Sequence, residues 1–414
     1  MHDAGVHAVP LSTPAGTTAR TRWMVSLLLL IAVTTAFFDR INIAVLFNNK
    51  AFQSDIGVSD PAMMGLLMTA FVFPYGASAV LLSVFGDAFG PRRTLSAIAA
   101  ILAATMAFMG AASSYAVLFA GRVVIGVTEG PQFATAATTV KRWFPQREQA
   151  LANSLWTIGS PLGSLIGFPL AIFLVTQYGW RASFYALAAL NALVVLPLVW
   201  LFLKDRPPSP VEPRSTAPQL SFGQAMRRLG GDWRFWLLPL NNSGTLIYLW
   251  GLNSWLPTYL QQARHFNIAM TGFYSALPFA FVIAGQLFFA WLGDKTGRRA
   301  AVCGGTLFMT GVFCYLAAIA PDANVAAWCI AISAGFWGGA TPPLFALSMQ
   351  IIPKEVSATG FGILAGLANI VGSSAPFIMG VLLSATGSFT AGLEFLVLSC
   401  MVCSLAMLPL IRTH

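Results

Sequence analysis

Gly86-Asp87-Ala88-Phe89-Gly90-Pro91-Arg92 and Gly293-Asp294-Lys295-Thr296-Gly297-Arg298-Arg299 are one short loop written twice, 207 residues apart. At the same offset Arg147-Glu148 returns as Lys354-Glu355, and Gly159 as Gly366. Three correspondences at one spacing mark the chain as two copies of a single unit. Long apolar stretches surround both loops, approximately 23–47, 61–85, 94–112, 115–140, 150–176 and 182–203 in the first copy. The second copy holds 234–260, 270–292, 300–320, 324–352, 357–384 and 390–411. At about 1.5 Å per residue each is long enough to cross about 30 Å of hydrocarbon as a helix. The strands of a membrane barrel would be shorter and would alternate in polarity. The expected architecture is an all-α membrane protein, with twelve transmembrane helices in two pseudo-symmetric six-helix bundles.

Composition agrees with this reading. Of 414 residues, 57% are hydrophobic and only 9% charged, against about a quarter charged in a soluble chain. A soluble enzyme is excluded. The net charge of +9 is scattered over short loops, so a nucleic-acid binder is excluded too. Most Lys and Arg fall on the side of the N-terminus, with Lys50, Arg181 and Arg264 opposite, which predicts that both termini are cytoplasmic. The domain plan is a disordered cytoplasmic tail (1–22), a bundle (23–203), a Pro-rich cytoplasmic linker (204–233) and a second bundle (234–414). The five cysteines lie in apolar stretches and the four histidines in tails or a loop, so an intramembrane metal or haem lacks its usual ligands. Two halves joined by a central linker are the arrangement of a rocking secondary transporter, with its site between them.

Four ionisable residues lie deep in spans 1 and 4: Asp39, Arg40, Arg122 and Glu129. A charge near the bilayer centre is costly unless paired or hydrated, so such residues read as functional. Helical rise puts Asp39 about 24 Å along span 1, Arg122 about 10 Å into span 4 and Glu129 about 21 Å in. The expected pairing is therefore Asp39 with Arg122. At the corresponding second-half positions stand Leu246, Ile247, Cys329 and Phe336, so the charge is confined to one half. Arg40 and Arg122 present planar forks suited to a carboxylate. Glu129, desolvated between apolar walls, is able to take a proton near neutral pH. Gly130 and Pro131 follow it, where a weakened helix would let it reorient.

The repeated loop resembles the major facilitator superfamily pattern Gly-x-x-x-Asp-(Arg/Lys)-x-Gly-(Arg/Lys)-(Arg/Lys); the stretch from Ser83 to Arg93 departs from it at Ser83, Ala88 and Pro91. Phe37-Phe38-Asp39-Arg40-Ile41-Asn42 is similar to the Tyr-x-Asp-Arg-x-Asn of the anion:cation symporters. Gly121 to Gly130 resembles that branch's helix 4, and Trp143 to Glu148 with Gly179-Trp180-Arg181 its following loop and helix 6. The resemblance implies import of a small carboxylate or sugar acid with protons; the expected setting, without a targeting segment, is a bacterial inner membrane, with the protein a monomer. It implies Asp39 and Glu129 as proton-coupling residues and Arg40 and Arg122 as anion contacts. It needs no cofactor beyond the proton as coupling ion. Asp87, Arg92, Arg93, Asp294, Arg298 and Arg299 would form a conformational latch on the cytoplasmic face.

Tyr75, Ser348 and Asn369 are expected to line the cavity and hydrogen-bond substrate; Asn241, Asn242, Tyr248 and Gln286 are weaker candidates whose alternative is an interhelical hydrogen bond. Phe37, where sugar-acid relatives tend to carry Tyr, favours a less hydroxylated substrate. A proton-driven exporter or antiporter of metabolites or drugs, or a transporter-like sensor, would use the same fold. Against export of lipophilic cations stands the arginine pair.

Overall fold

The computed structural model describes residues 15–82, 89–205 and 222–412. The described chain is helical. In the first half run α1 (Ala15–Leu46), the short α2 (Lys50–Ile56), α3 (Pro61–Leu81), α4 (Pro91–Gly110), α5 (Tyr115–Glu129) and α6 (Gln132–Trp143). Then follow α7 (Gln146–Thr157), α8 (Gly159–Tyr178), α9 (Trp180–Leu190), one π turn (Asn191–Val195) and α10 (Leu196–Phe202). After α11 (Phe222–Gly230) the second half holds α12 (Trp233–Gln262), α13 (Ile268–Thr296), α14 (Arg299–Ile319) and α15 (Ala323–Ile351). It ends with α16 (Ser357–Gly372), α17 (Ser374–Thr386) and α18 (Phe389–Leu405).

Ten segments of the described residues are long and apolar enough to cross a membrane. The two other expected spans differ for visible reasons. The stretch from Tyr115 to Trp143 is divided into α5 and α6, because Pro131 has no N–H to continue the ladder. The other, α12, is long enough, but Asn241, Asn242, Asn253 and two glutamines dilute its hydropathy. Helix 1 also starts earlier than expected, at Ala15, inside the stretch read as a tail. Residues 1–14 of that tail, residues 206–221 of the linker and Asp87 lie outside the described residues.

Caps set the loops between spans. Asn49, Asp60, Asp232, Asn267, Asp322 and Ser388 each accept a backbone N–H in the first turn of the helix they precede. Two arginines of the less basic end also have structural posts. Arg264 donates to the carbonyls of Ala317, Ala318 and Ala320, where α14 ends. Arg181 donates to Ala112 O, just beyond α4, and pairs with Asp55, whose carboxylate it and the Trp180 indole hold below the usual range. Both satisfy C-terminal carbonyls that lack helical partners.

Small residues let helices meet closely within each half. On α8, a Cβ at Gly163 would come within 2.6 Å of Thr34 O in α1. Around α5, a Cβ at Gly126 would come within 2.3 Å of Phe71 O, and one at Gly130 within 1.8 Å of Ser78 Oγ, both in α3. The halves touch through α3 with α16 and α17, α8 with α13, and α1 with α12. Phe168 of α8 stacks on Phe279 of α13 at 5.8 Å between ring centroids. At the end opposite the repeated loops, the Asn48 amide donates to Gln261 at 2.9 Å and accepts from Gln262 at 2.6 Å.

Candidate functional site

The four charged residues singled out above come together in one buried cluster. Asp39, Arg40 and Arg122 are 1% exposed and Glu129 is fully buried. The expected pairing is corrected. Arg40 Nε donates to Glu129 Oε2 at 2.5 Å, so the ion pair joins α1 to the last residue of α5. Arg122 instead reaches backbone: its Nε donates to Leu67 O at 3.2 Å, Nη1 to Asp39 O at 3.4 Å and Nη2 to Arg40 O at 3.5 Å. It touches the main chain of Asp39 and not the carboxylate. Neighbouring residues on a helix point about 100° apart, so a depth calculation could not tell which of Asp39 and Arg40 faces α5.

Asp39 takes a partner that the sequence reading passed over. Its Oδ2 accepts from Asn191 Nδ2 at 2.9 Å, and the same amide donates to Leu187 O at 3.1 Å. Asn191 opens the π turn, which adds a residue to the helix and changes the direction of the side chains after it. A lone asparagine in the apolar run 182–203 was the available signal.

Aromatic rings enclose the Arg40 guanidinium. Its Cζ lies 4.4 Å from the ring centroid of Phe37, 4.6 Å from Tyr75, 5.5 Å from Phe71 and 5.6 Å from Phe133. Such faces stabilise a cation while leaving its N–H groups for an oxyanion. Three polar atoms of the cluster find no partner among the described residues: Arg40 Nη2, Glu129 Oε1 and Asp39 Oδ1. Buried polar atoms are ordinarily satisfied, so this is a site with bonding capacity in reserve.

The second half contributes a wall without charge. Trp250 of α12 packs edge-on against Phe71 at 5.8 Å and Tyr75 at 6.4 Å, and its Nε1 donates to Asn369 Oδ1 at 3.4 Å. Tyr75 and Asn369 are thus brought to either side of one indole. Ser348 is not brought to the cluster's described contacts; it is buried and donates to Leu344 O in its own helix at 2.7 Å. Asn241, Asn242 and Tyr248 bond to Cys403 O, Leu364 O and Ser333 Oγ, all within the second half. A cavity of about 490 Å³ lies on an apolar flank between α13, α14 and α18, away from the charges.

Of the expected latch residues that are described, Arg92, Asp294 and Arg299 engage groups of their own half. Arg92 stacks on Trp200 at 4.5 Å, and its backbone N–H donates to Asp205 Oδ1 at 2.9 Å. Asp205, which the sequence reading did not single out, thus meets the N-terminus of α4. Asp294 pairs with Arg299 at 3.2 Å, while Arg93 and Arg298 are exposed. Arg22 meets Glu148 at 3.1 Å within the first half.

Comparison with known proteins places this geometry among carriers. Residues 29–376 match the family model described as Major Facilitator Superfamily. A protein of Cupriavidus necator named as a probable sulfoacetate transporter is 27% identical over 89% of each chain. One of Bacillus subtilis named as a probable galactarate/D-glucarate transporter is 24% identical over 92% of this chain and 90% of its own. Among solved structures, a bacterial homologue of the human lysosomal transporter Spinster superposes with a TM-score of 0.77 at 19% identity, over 95% of this chain and 96% of that one.

Proposed function

This chain belongs to the major facilitator superfamily and is a multi-pass inner-membrane transporter, not an enzyme; from that premise we propose that it imports a small organic anion together with protons by alternating access. The reading takes twelve crossings, both termini in the cytoplasm and a monomer in the lipid bilayer. The two bundles rock about the cluster, joined by the cytoplasmic linker.

The observation that carries it is the Arg40–Glu129 pair. Arg40 offers its whole fork to an incoming carboxylate or sulfonate once Glu129 lets go, and a proton on Glu129 loosens its hold. Substrate and proton thus enter as a pair. Asp39, Arg40, Arg122 and Glu129 sum to zero charge; one anionic group and one proton added together keep the sum at zero. That balance lowers the cost of closing the site, because an unbalanced buried charge is heavily penalised. Asp39, held by Asn191, is the second proton carrier, available where a substrate brings two charges. Arg122 supports the backbone of residues 39 and 40 and offers its fork to the far end of the anion. Tyr75 and Asn369 contact the rest of the substrate from each half, and Ser348 does so when the second half moves. Phe37 beside Arg40 favours an anion with few hydroxyls.

Thermal melting of the purified protein tests the reading, with sulfoacetate, D-glucarate, acetate and neutral sugars at acid and neutral pH. A ligand bound to the folded state alone raises the melting temperature by mass action. Stabilisation by anions, stronger at acid pH and lost in Arg40→Lys, is expected, since lysine keeps the charge and loses the fork. Stabilisation by neutral compounds, indifferent to Arg40, overturns the anion site.

A further inference from the structure

We propose that a slot beside Asn42 is a water site through which protons reach Asp39 from the end of the bundle opposite the repeated loops, inside the first half and apart from the space between the halves. The proposal rests on the reading of Asp39 as a proton carrier. Asn42 lies one turn beyond Asp39 on α1 and on the same face. It is fully buried, and neither its Oδ1 nor its Nδ2 has a partner among the described residues. A buried amide in that condition calls for a ligand that both donates and accepts.

Asn42 borders a cavity of about 10 Å³ with Phe38, Gly167, Ala171, Ser183 and Leu187, close to the least volume that holds one water. Ser183 Oγ donates to Trp180 O at 2.7 Å and keeps its lone pairs for the same guest. The sixth span links the wall of the slot to Asp39. Ser183, Leu187 and Asn191 follow at four-residue steps on one face. Leu187 O accepts from the Asn191 amide that also holds Asp39 Oδ2, while Asp39 Oδ1 is unpartnered.

The transfer balances without a further reactant. A proton arriving at the slot water forms a new O–H bond there, and another O–H of that water breaks toward the Asp39 carboxylate. A neutral water and a carboxylic acid remain. The groups facing Asp39 are Arg122 from α5, with Arg40 and Glu129 beside it, and neutral Asn191 from the sixth span. The α8 wall of the slot presents uncharged Gly167 and Ala171. All of the residues around the slot belong to the first half, so a water there does not require the Asn48–Gln261–Gln262 contacts to part.

The test needs no substrate. The full chain in lipid vesicles is stepped from alkaline to acid pH and followed by time-resolved infrared difference spectroscopy. The carboxylic-acid band missing from Asp39→Asn belongs to Asp39. Asn42→Leu, which removes the amide, and Ala171→Val, which fills the slot from the other wall, are each expected to slow that band by about tenfold or more. Asn42→Ser, still polar and smaller, is expected to keep it within about twofold. Unchanged rates in both filled variants overturn the slot alone, as does equal slowing in Asn42→Ser. If Asn42→Leu does not fold, Ala171→Val decides. No Asp39 band in the parent protein overturns the slot and the carrier role of Asp39 together.

Discussion

Glu129 and Asp39 are both carboxylates buried in a helical bundle, yet they are held by unlike partners. Glu129 faces a permanent cation at 2.5 Å, while Asp39 has a neutral amide at 2.9 Å. Protonation of Glu129 therefore frees an arginine, whereas protonation of Asp39 changes only the charge of its surroundings. Substituting Glu129 by Gln mimics the released state. Labelled-substrate exchange in proteoliposomes should persist within a few-fold, and uphill accumulation driven by a pH gradient should vanish. Full accumulation by this variant would falsify the coupling role. That these residues mattered was legible, because charge in an apolar span is conspicuous. Their pairing was not. Spacing gives depth along a helix, but the azimuth that puts Arg40 toward α5 and Asp39 toward Asn191 depends on how the helices rotate when packed.

At the scale of elements, the weakness expected after Glu129 is present as the break between α5 and α6, and Pro131 made it readable. The fit that locates the break was not readable. Gly130 lies against α3 so closely that a methyl group would meet Ser78 Oγ at 1.8 Å and Ala79 N at 2.6 Å. Ser78 could rotate away, but the backbone of Ala79 could not. Gly130→Ala should then cost about 1–3 kcal/mol, read as a fall in melting temperature, and adding Ser78→Ala should restore only part of it. Complete recovery in the double variant would show that only the hydroxyl was in the way. The π turn at Asn191 belongs to the same class of detail, since no local pattern distinguishes one extra residue in an apolar helix.

At the scale of the whole molecule, the 207-residue offset disclosed the duplication, and the duplication gave the fold. The way the halves meet had to be seen. Asn48, Gln261 and Gln262 join them by amide hydrogen bonds without ion pairing, a contact that can part without stranding a charge. Cysteines placed at Asn48 and Gln262 and joined by a short cleavable reagent should arrest transport, and cleavage should restore it. Undiminished transport in the joined protein would mean that this contact does not open during the cycle.

The confinement of buried charge, among the described residues, to the first half gives the duplicated architecture a division of labour. One copy kept the ion chemistry, and the other became an uncharged wall around Trp250 and Asn369. Substitutions on that wall can change which molecules fit without disturbing the buried arginines and carboxylates of the first half. A lineage built on this plan can therefore change its diet while keeping its engine.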